Sequence, residues 1–572
     1  MDELTIKIAG EAGQGTQTIG AALCGVFKRM GLYIFANQDY MSRVRGGNNF
    51  FQLRVSTRPV YCPALKSDIL VALDKKSVDL HRGMLAKGGV IILDKVKFGL
   101  EEEGEGFFDL PFYAIANKAG ASDLYINTVC CGVIAGLMAV ELKYLDAVIR
   151  EAFTGKEEEV VAKNILAAQA GYDFTKSNFK GKGFRIGNGG SGKTLLLNGN
   201  EAITLAAIKA GCKFYSAYPM SPSTGIMDNL AHFAGKFNMI VEQAEDEIAA
   251  VNMIAGASFA GVRSMAATSG GGFALMVEGV SLAGMTETPL VIVDAQRPGP
   301  ATGFPTRTEQ ADLDFLIHAG HGEFARVIYA PGTVEEAFYL TLKAFNLAEK
   351  YQIPVFIMTD QHLADSLRNI PPLNPDKIKV RRYIISREDS QKIEGYKRYR
   401  LTASGISPRA VPSWINDTVY ADSDEHNEEG HITEDAATRV KMVEKRFFKK
   451  MAGLGREIEK PVTYNLEKAG KVLVGFGSTY GVIKEACERS GDKKFGCVHL
   501  PQVWPFPAAE LSRLLNRKRD ILTVENNAGG QLARLMMREA GIKVGSSILR
   551  YDGRPFDVDY LIERINKPGK KK

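Results

Sequence analysis

Three segments punctuated by glycine and proline, in a fixed order along the chain, decide the fold. The first is Y-P-M-S-P-S-T at 218–224. The second is V-E-Q-A-E-D-E-I-A-A at 241–250, which leads into T-S-G-G-G-F at 268–273, and the third is D-A-Q-R-P-G-P-A-T-G-F-P-T-R-T-E-Q at 294–310. Each follows a short apolar run, the pattern of loops at the ends of strands in an α/β sheet, where ligands bind. The sequence therefore predicts an α/β domain whose ligand site is built from these loops.

Similar alternations of strand and helix patterns lie before and after this region. A chain of 572 residues is long enough for roughly three to four domains. Composition and periodicity predict an α/β domain at 1–178, a glycine-rich basic linker at 179–194, a second α/β domain at 195–370, a charged and irregular connecting segment at 371–461, and a third, smaller α/β domain at 462–572.

Composition excludes several classes of protein. The net charge of +6 comes from 72 basic and 66 acidic residues, and without a nucleic-acid motif it predicts no nucleic-acid partner. The sequence has no signal-peptide pattern, and its apolar stretches are shorter than the ~20 residues needed to span a bilayer. We therefore expect a cytoplasmic protein without a membrane partner. The seven cysteines include no C-x-x-C pair, which predicts neither a disulfide framework nor an iron–sulfur cluster held by this chain alone.

A P-loop motif occurs in the wrong context. G-N-G-G-S-G-K-T at 187–194 matches G-x-x-x-x-G-K-T, and V-I-V-D at 291–294 is typical of a Walker B strand. A P-loop requires a strand before the glycines and a helix after them, so that helix N–H groups face the phosphates. Here linker composition precedes the motif and the strand-like run 195–197 follows it. The pattern disfavours a P-loop ATPase, which stays open as an alternative.

A glycine turn near the N-terminus, G-E-A-G-Q-G at 10–15, lies between a predicted strand and a predicted helix, and S-R-V-R-G-G at 42–47 follows downstream. Glycines allow close approach of the backbone, and arginine forks match phosphate or carboxylate groups. Together they predict a site for an anionic, nucleotide-like ligand; the alternative is a structural turn beside a solvated basic loop. The candidate residues are Gly10, Gly13, Gly15, Arg43, Arg45 and Gly46.

Four acidic residues, Glu242, Glu245, Asp246 and Glu247, precede apolar positions at helical spacing. The helix dipole favours acidic residues in a first turn, so a purely structural role is one interpretation. The other interpretation is functional, with one of these carboxyl groups belonging to a site.

In combination, the segments at 218–310 resemble the pyrimidine-binding domain of the thiamine-diphosphate-dependent 2-oxoacid:ferredoxin oxidoreductases. The resemblance extends over nearly the whole chain. Residues 1–178 resemble the γ subunit of this family, fused ahead of an α subunit at 195–572 whose last unit resembles the transketolase C-terminal-like domain. The resemblance implies a multi-domain α/β fold, and the length of the fused γα chain is most similar to the 2-oxoglutarate type.

The resemblance also implies roles for individual residues. Glu247, with Glu245 as the alternative, would hydrogen-bond the ring nitrogen of the aminopyrimidine. Ser221 stands where the family pattern Y-P-I-T-P has the hydroxyl that holds the substrate carboxylate, and Arg307 or Arg297 would pair with that carboxylate. The further residues implied are Thr224 for substrate binding and Tyr218, Pro219, Thr268, Ser269 and Gly270 for cofactor binding.

The sequence contains no G-D-G, the motif through which thiamine enzymes hold Mg²⁺ and the diphosphate. The resemblance therefore implies half an active site, completed by a β subunit that supplies Mg²⁺, the diphosphate contacts and an iron–sulfur cluster, in a heterodimer or heterotetramer. The implied reaction is oxidative decarboxylation of a 2-oxoacid, with 2-oxoglutarate favoured, to acyl-CoA. Electrons would pass through the partner to ferredoxin, and coenzyme A would bind the γ-like region. Another 2-oxoacid such as pyruvate, and a non-catalytic scaffold that binds coenzyme A or nucleotide, are the alternatives.

Overall fold

The structure is a computed structural model that describes residues 1–42, 47–99, 106–118, 120, 122–490, 495–516 and 520–566. Its backbone contacts divide the chain into two compact units. The first consists of residues 1–197, 366–372 and 557–560, and the second consists of residues 198–365, 373–556 and 561–572. The predicted class, a multi-domain α/β protein, is confirmed.

The first unit is built on a mixed sheet of eight strands in the order β6-β5-β4-β1-β3-β2-β14-β7. The strands from β6 to β1 are parallel to one another, whereas those from β1 to β7 are antiparallel. The strands are β1 (Glu3–Gly10), β2 (Tyr33–Asp39), β3 (Asn49–Ser56), β4 (Ser67–Ala72), β5 (Leu85–Leu93), β6 (Phe107–Asp109), β7 (Leu195–Leu197) and β14 (Leu367–Ile370). The helices are α1 (Thr16–Arg29), α2 (Lys75–His81), α3 (Lys95–Phe98), α4 (Phe112–Lys118), α5 (Ile126–Met138), α6 (Leu142–Ala152) and α7 (Glu158–Asn178), with 3-10 turns at Arg82–Met84 and Asp123–Tyr125.

The second unit contains two sheets. The larger has the order β18-β12-β13-β11-β10-β8-β9 and is parallel except for β18. The smaller has the order β15-β17-β16-β19-β20 and is parallel except for β15. One hydrophobic core contains residues of both sheets, among them Ile292, Phe356, Val474 and Val498.

The strands of the second unit are β8 (Phe214–Ala217), β9 (Ile240–Gln243), β10 (Ser264–Thr268), β11 (Leu290–Gln296), β12 (Val327–Tyr329), β13 (Pro354–Asp360), β15 (Val462–Tyr464), β16 (Lys471–Phe476), β17 (Phe495–Leu500), β18 (Gln502–Trp504), β19 (Asp520–Glu525) and β20 (Ser546–Leu549). Its helices are α8 (Gly199–Lys209), α9 (Thr224–Phe237), α10 (Glu247–Phe259), α11 (Gly270–Met285), α12 (Leu313–His318), α13 (Val334–Tyr351), α14 (Gln361–Asp365), α15 (Arg387–Ser390), α16 (Ala436–Val443), α17 (Lys450–Leu454), α18 (Thr479–Arg489), α19 (Ala508–Leu515) and α20 (Gln531–Ala540), with a 3-10 turn at Pro412–Trp414 and a π-helix at Glu444–Lys449. Helix α21 (Val558–Asn566) contains residues of both units.

Two short strands differ from the predicted division of the chain. The sequence predicts a domain at 195–370, but β7 and β14 pair with each other and β14 pairs with β2, so both belong to the first sheet. The side chain of Asn369 secures this pairing, because it accepts a hydrogen bond from the Ile34 N–H at 2.8 Å and donates one to the Leu32 carbonyl at 2.9 Å. Strand periodicity does not identify a distant partner strand, which is why the pattern did not predict this exchange.

The segment predicted as irregular, 371–461, has few regular elements, but buried ion pairs hold it within the second unit. Glu287 is 1% exposed and forms salt bridges with Lys445 and with Lys450, the latter at 2.6 Å. Arg398 donates a hydrogen bond to the Glu287 carbonyl at 2.7 Å. Burial alone would raise the pKa of Glu287, but the two lysines outweigh it and hold the carboxyl pKa below its usual range. The segment is thus anchored around one ionised carboxylate.

Candidate active site

The two candidate catalytic carboxyls, Glu245 and Glu247, differ in their position relative to the first turn of α10. Asp246 caps the helix, and its side chain accepts a hydrogen bond from the Ala249 N–H at 2.7 Å. Glu247 is the first helical residue and is 3% exposed, whereas Glu245, two residues earlier, is exposed. The capping aspartate therefore accounts for one acidic residue of the cluster by helix chemistry alone. Helix capping does not explain the burial of Glu247.

Glu247 faces the first turn of α11. A Cβ atom added at Gly272 would lie 2.3 Å from Glu247 Oε1 and 2.1 Å from Thr268 Oγ1, so only glycine fits there. Glu247 Oε1 is buried and has no hydrogen-bond partner among the described residues. Burial raises the pKa of Glu247, and nearby Asp246 raises it further, while hydrogen bonds and Arg297 partly oppose them. The arrangement leaves a readily protonated carboxyl with an unused oxygen, which fits a polar ligand atom.

Arg297 links the loop at 218–224 to Glu247. The Arg297 guanidinium donates a hydrogen bond from Nη1 to the Ser221 carbonyl at 2.9 Å, and it interacts electrostatically with Glu247. Ser223 Oγ closes the loop by donating to the Met220 carbonyl at 2.7 Å. Thr224 then begins α9, which places the predicted substrate-binding hydroxyls at the start of a helix.

Of the other predicted cofactor contacts, Tyr218 is 42% exposed and Pro219 is partly exposed. Thr268 ends β10, and both Thr268 and Ser269 are 0% exposed. Ser269 occupies the N-cap position of α11 but makes no capping hydrogen bond, and its Oγ is buried without a partner among the described residues. This unused hydroxyl is a second group suited to a polar ligand.

The two candidate arginines occupy different surroundings. Arg297 lies beside Ser221 and Glu247, as described above. Arg307 packs against Gly553, where an added Cβ would lie 3.2 Å from the Arg307 Cβ, and its backbone N–H donates to the Phe304 carbonyl at 3.1 Å. The structure therefore brings Arg297 together with the predicted serine and glutamate, and it places Arg307 beside a loop of the smaller sheet.

Sequence reasoning gave no role to three acidic groups, Asp312, which interacts with Arg297, and Asp294 and Glu309, which interact with Asp312. Asp294 ends the apolar run that resembled a Walker B strand, and it is 0% exposed. Asp312 interacts with both Asp294 and Arg297, and Glu309 lies near Asp312. An acidic residue directly after an apolar run within a strand was the available signal, because a buried carboxyl requires a partner or a proton.

The N-terminal glycine turn borders a cavity of about 340 Å³ in the first unit. Gly13 and Gly15 have φ angles of 91° and 82°, which favour glycine, and Gly15 precedes the first residue of α1. Gly10 ends β1. Residues 12, 13, 15–18, 38–40, 49 and 50 contribute to the lining. The predicted residues Arg43, Arg45 and Gly46 lie outside the described part of the chain.

The P-loop-like segment has neither element that phosphate binding requires. Residues 187–194 are all described and contain no helix or strand, and β7 follows them where a P-loop would have a helix. The prediction that its context is inverted is confirmed. Within the described residues, no helix combines the length and apolar character needed to cross a membrane, and no cluster of three or more histidine, cysteine or acidic side chains could bind a metal ion.

Three family models match successive parts of this chain. Residues 205–445 match the family described as pyruvate flavodoxin/ferredoxin oxidoreductase, thiamine diP-bdg. Residues 5–174 match pyruvate ferredoxin/flavodoxin oxidoreductase, and residues 469–561 match pyruvate:ferredoxin oxidoreductase core domain II. The fold and these family matches thus define an α/β oxidoreductase with a thiamine-diphosphate-binding domain.

Individual relatives extend over the whole chain. The 2-oxoacid:ferredoxin oxidoreductase subunit alpha of Sulfolobus sp is 33% identical and covers 99% of this chain and 96% of its own. The 2-oxoglutarate synthase subunit KorA of Methanothermobacter thermautotrophicus is 31% identical over 65% of this chain and 98% of its own. The solved 2-oxoglutarate:ferredoxin oxidoreductase from Magnetococcus marinus, with 2-oxoglutarate, coenzyme A and succinyl-CoA bound, is 32% identical with a TM-score of 0.91 over 99% of both chains. The chain belongs to the 2-oxoacid:ferredoxin oxidoreductase family, as the motifs predicted.

Proposed function

We propose that this chain supplies the proton-transferring half of a thiamine diphosphate site that oxidatively decarboxylates a 2-oxoacid to its acyl-CoA, with 2-oxoglutarate as the favoured substrate. The observation that carries the proposal is the buried Glu247 carboxyl, whose Oε1 has no partner among the described residues. The 2-oxoglutarate preference is supported by the Magnetococcus marinus and KorA relatives. Electrons would leave through a partner subunit to ferredoxin.

The residues present fit the cofactor. When bound, thiamine diphosphate supplies a carbon nucleophile and an electron sink. Glu247 would hold a proton at the ring nitrogen of the aminopyrimidine, and its raised pKa suits that task, because a protonated carboxyl can donate a hydrogen bond and then take the proton back. Ser269 Oγ and the glycine turn at 270–272 would line the same ring, since Gly272 adjoins Glu247 Oε1 and Ser269 precedes this turn in the chain.

The substrate carboxylate would lie between Ser221 and Arg297. A guanidinium held by the Ser221 carbonyl presents its remaining N–H groups as a fork that matches a carboxylate. Arg307 would serve as a more distant cation, and Thr224 as a hydroxyl at the start of α9. This assignment favours Arg297 over Arg307, because Arg297 donates a hydrogen bond to the Ser221 carbonyl and interacts with Glu247.

A β subunit would complete the site. The sequence has no G-D-G and no C-x-x-C, so the Mg²⁺, the diphosphate contacts and an iron–sulfur cluster would come from that subunit. Apolar side chains are exposed around the first turn of α10, on the edge strand β9 and on the 218–224 loop: Ile240 is 61% exposed, Ile248 47% and Tyr218 42%. Exposed apolar groups beside an incomplete site are suited to a protein partner. Coenzyme A would bind in the cavity at the N-terminal glycine turn.

The test is viologen reduction by 2-oxoacids in the presence of thiamine diphosphate and coenzyme A. The full chain would be assayed alone and as the complex co-purified from its source cells, with a panel that includes 2-oxoglutarate, pyruvate and branched-chain 2-oxoacids. We expect activity only in the iron-containing complex, and greatest with 2-oxoglutarate. Absence of activity in the complex across the panel would favour the scaffold alternative.

Replacing Arg297 with glutamine should raise the KM for the 2-oxoacid about 100-fold in the complex, because a charged carboxylate loses its bidentate partner. The KM for coenzyme A should change less than about threefold, since that ligand is assigned to the other unit. Steady-state viologen reduction measures both constants. Arg307→Gln is the matched variant: a larger rise in KM for Arg307→Gln than for Arg297→Gln would reverse the assignment.

A further inference from the structure

Asn200 lies beside the loop at 218–224 and does not cap its own helix. It is the second residue of α8, whose N-terminus is capped by Asn198 together with Glu201. Asn200 is 3% exposed, although asparagine is a weak helix former and a buried amide costs free energy unless its polar atoms are paired. Neither capping nor helix propensity therefore accounts for an asparagine at this position.

The amide nitrogen of Asn200 has two acceptors. Nδ2 donates to the Pro222 carbonyl at 3.0 Å and to Asp365 Oδ1 at 3.4 Å. Asp365 is also bound by Gln361, whose Nε2 donates to the other carboxyl oxygen at 3.1 Å. Two acceptors on one side require the nitrogen there, because an amide oxygen cannot donate a hydrogen bond. Asp365 therefore helps to orient the amide nitrogen of Asn200 toward the loop.

Glycines allow the close packing around Asn200. Gly225 is the second residue of α9, and a Cβ added there would lie 2.9 Å from Asn200 Nδ2 and 3.4 Å from its Cγ. A Cβ added at Gly199 would lie 2.5 Å from the Leu363 carbonyl oxygen, so the start of α8 also packs closely against α14. Asn200 Oδ1 is buried and has no partner among the described residues. The hydrogen bond to the loop is thus present although the other half of the amide is left unpaired, which is unfavourable by itself.

Two consecutive carbonyls of the loop are bound by different side chains. Arg297 Nη1 donates to the Ser221 carbonyl at 2.9 Å. Asn200 Nδ2 donates to the next carbonyl in the chain, that of Pro222. Rotation of this segment would break one of these hydrogen bonds, so the two side chains together fix the backbone that follows Ser221.

A turn within the loop fixes the peptide group before Ser221. The Met220 carbonyl accepts hydrogen bonds from the Ser223 N–H at 2.9 Å and from Ser223 Oγ at 2.7 Å. Ser223 is 1% exposed, so water does not compete freely for these bonds. The backbone from which the Ser221 hydroxyl projects is thus held on both sides.

We propose that Asn200 is a positioning residue, which holds the Pro222 carbonyl so that the Ser221 hydroxyl faces the substrate carboxylate. This inference rests on the proposed function, since it assigns Ser221 to the 2-oxoacid. Asn200 acts through the loop and does not itself touch the substrate. The substrate site is thereby extended to the start of α8, a segment to which the sequence motifs gave no role.

The kinetic test uses the purified complex. Asn200→Ala should raise the KM for the 2-oxoacid about tenfold and leave kcat within about threefold of the parent, because Ser221 is assigned to bind the carboxylate alike in the ground state and the transition state. Thr204→Val is the matched control. Thr204 is 1% exposed and donates a hydrogen bond at 2.8 Å to the Asn200 carbonyl within α8, rather than to the loop. Its KM should stay within about twofold of the parent. An unaltered KM in Asn200→Ala, or an equal rise in Thr204→Val, overturns the inference.

A double-mutant cycle separates positioning from general destabilisation. If Asn200 acts through the Ser221 hydroxyl, Asn200→Ala should raise the KM by less than about twofold in a Ser221→Ala complex, although it raises the KM about tenfold in the parent. A merely structural role would raise the KM by the same factor in both backgrounds. Equal factors would therefore contradict the assignment of Asn200 to Ser221.

Hydrogen exchange measures the restraint on the loop without turnover. The Ser223 N–H is bonded within the loop, so mass spectrometry of the peptide that contains residues 218–224 reports the opening of the loop. In the substrate-free complex, exchange in this peptide should be about tenfold faster in Asn200→Ala than in the parent, and Thr204→Val should match the parent. Unaltered exchange in Asn200→Ala would show that Asn200 does not hold the loop.

The exchange measurement also separates this inference from the proposed function. A complex inactive on every 2-oxoacid would overturn the proposed function and the link between Asn200 and substrate, while exchange would still decide whether Asn200 holds the loop. Circular dichroism would establish that the variants are folded. Asn200→Ser, which leaves a smaller gap, takes the place of Asn200→Ala in every comparison if the alanine variant does not fold.

Discussion

Replacing Glu247 with glutamine should lower kcat for 2-oxoacid-dependent viologen reduction about 10³-fold in the assembled complex. The glutamine keeps the shape of the side chain but cannot give and take a proton, and general acid–base groups typically contribute 10²–10⁴-fold. Because Glu247 is buried against Gly272 and Thr268, the isosteric change should preserve packing. The thiamine diphosphate content of the purified complex should be measured as well, to separate a loss of chemistry from a loss of binding.

Two nearby carboxyls make this experiment specific. Glu242 on β9 is exposed, and Glu242→Gln should leave kcat within about twofold of the parent, as a surface substitution does. Glu245→Gln tests the alternative that the sequence left open. A Glu247→Gln complex with near-parental kcat would refute the assignment, and a greater loss in Glu245→Gln would transfer the role to that residue.

Glu287→Gln should destabilise the chain by about 3–5 kcal/mol, because removing the carboxylate leaves buried ammonium groups without their partner. Lys445 and Lys450 are 0% and 1% exposed and both form salt bridges with Glu287. Burial already lowers the pKa of Lys445 to about 8, and Glu287 only partly offsets it. We expect the denaturant midpoint of the second unit to fall clearly. Unfolding in denaturant, monitored by circular dichroism, measures this midpoint.

The pH dependence of this contribution has a defined sign. The folded-state pKa of Glu287 is depressed, so its stabilisation is present above the ordinary glutamate value of 4.5 and is lost as the pH falls toward the folded value. Glu388→Gln is the matched control, because its salt bridge with Lys392 is on the surface, with side chains 83% and 63% exposed, and such pairs contribute little. Equal midpoints for the Glu287 and Glu388 variants would show that the buried cluster does not anchor the segment.

Much of the proposed site was accessible from the sequence because it lies on loops with strong local signals. Glycine and proline mark the ends of β8, β10 and β11, and an acidic run marks the start of α10. The preference for Glu247 over Glu245 came from the family resemblance, in which this residue opens a helix followed by small residues. In the structure Glu247 is buried, and its Oε1 has no partner among the described residues. Local chemistry of this kind is encoded within a few residues of the chain.

The remainder depends on contacts between distant residues. Arg297 and Arg307 occupy similar glycine-rich and proline-rich surroundings in sequence, and only the folded chain associates Arg297 with Ser221, 76 positions away. Asp312 lies against Gly270, which is not adjacent to it in sequence. The pairing of β14 with β2 likewise depends on hydrogen bonds between residues more than 330 positions apart in the chain. Spacing along the chain carries no information on such pairings.

The position of β7 and β14 has a consequence for the joining of the γ-like and α-like regions. These strands bracket residues 198–365 and yet complete the eight-stranded sheet of the first unit. Severing the polypeptide within 179–194 would therefore not release two self-sufficient proteins. The N-terminal fragment would present the unpaired edge of β2, and its missing strands would remain on the other fragment. The two regions are joined by shared strands as well as by the linker. Two co-expressed fragments would therefore have to reassemble by pairing β14 of one fragment, which also pairs with β7, with β2 of the other.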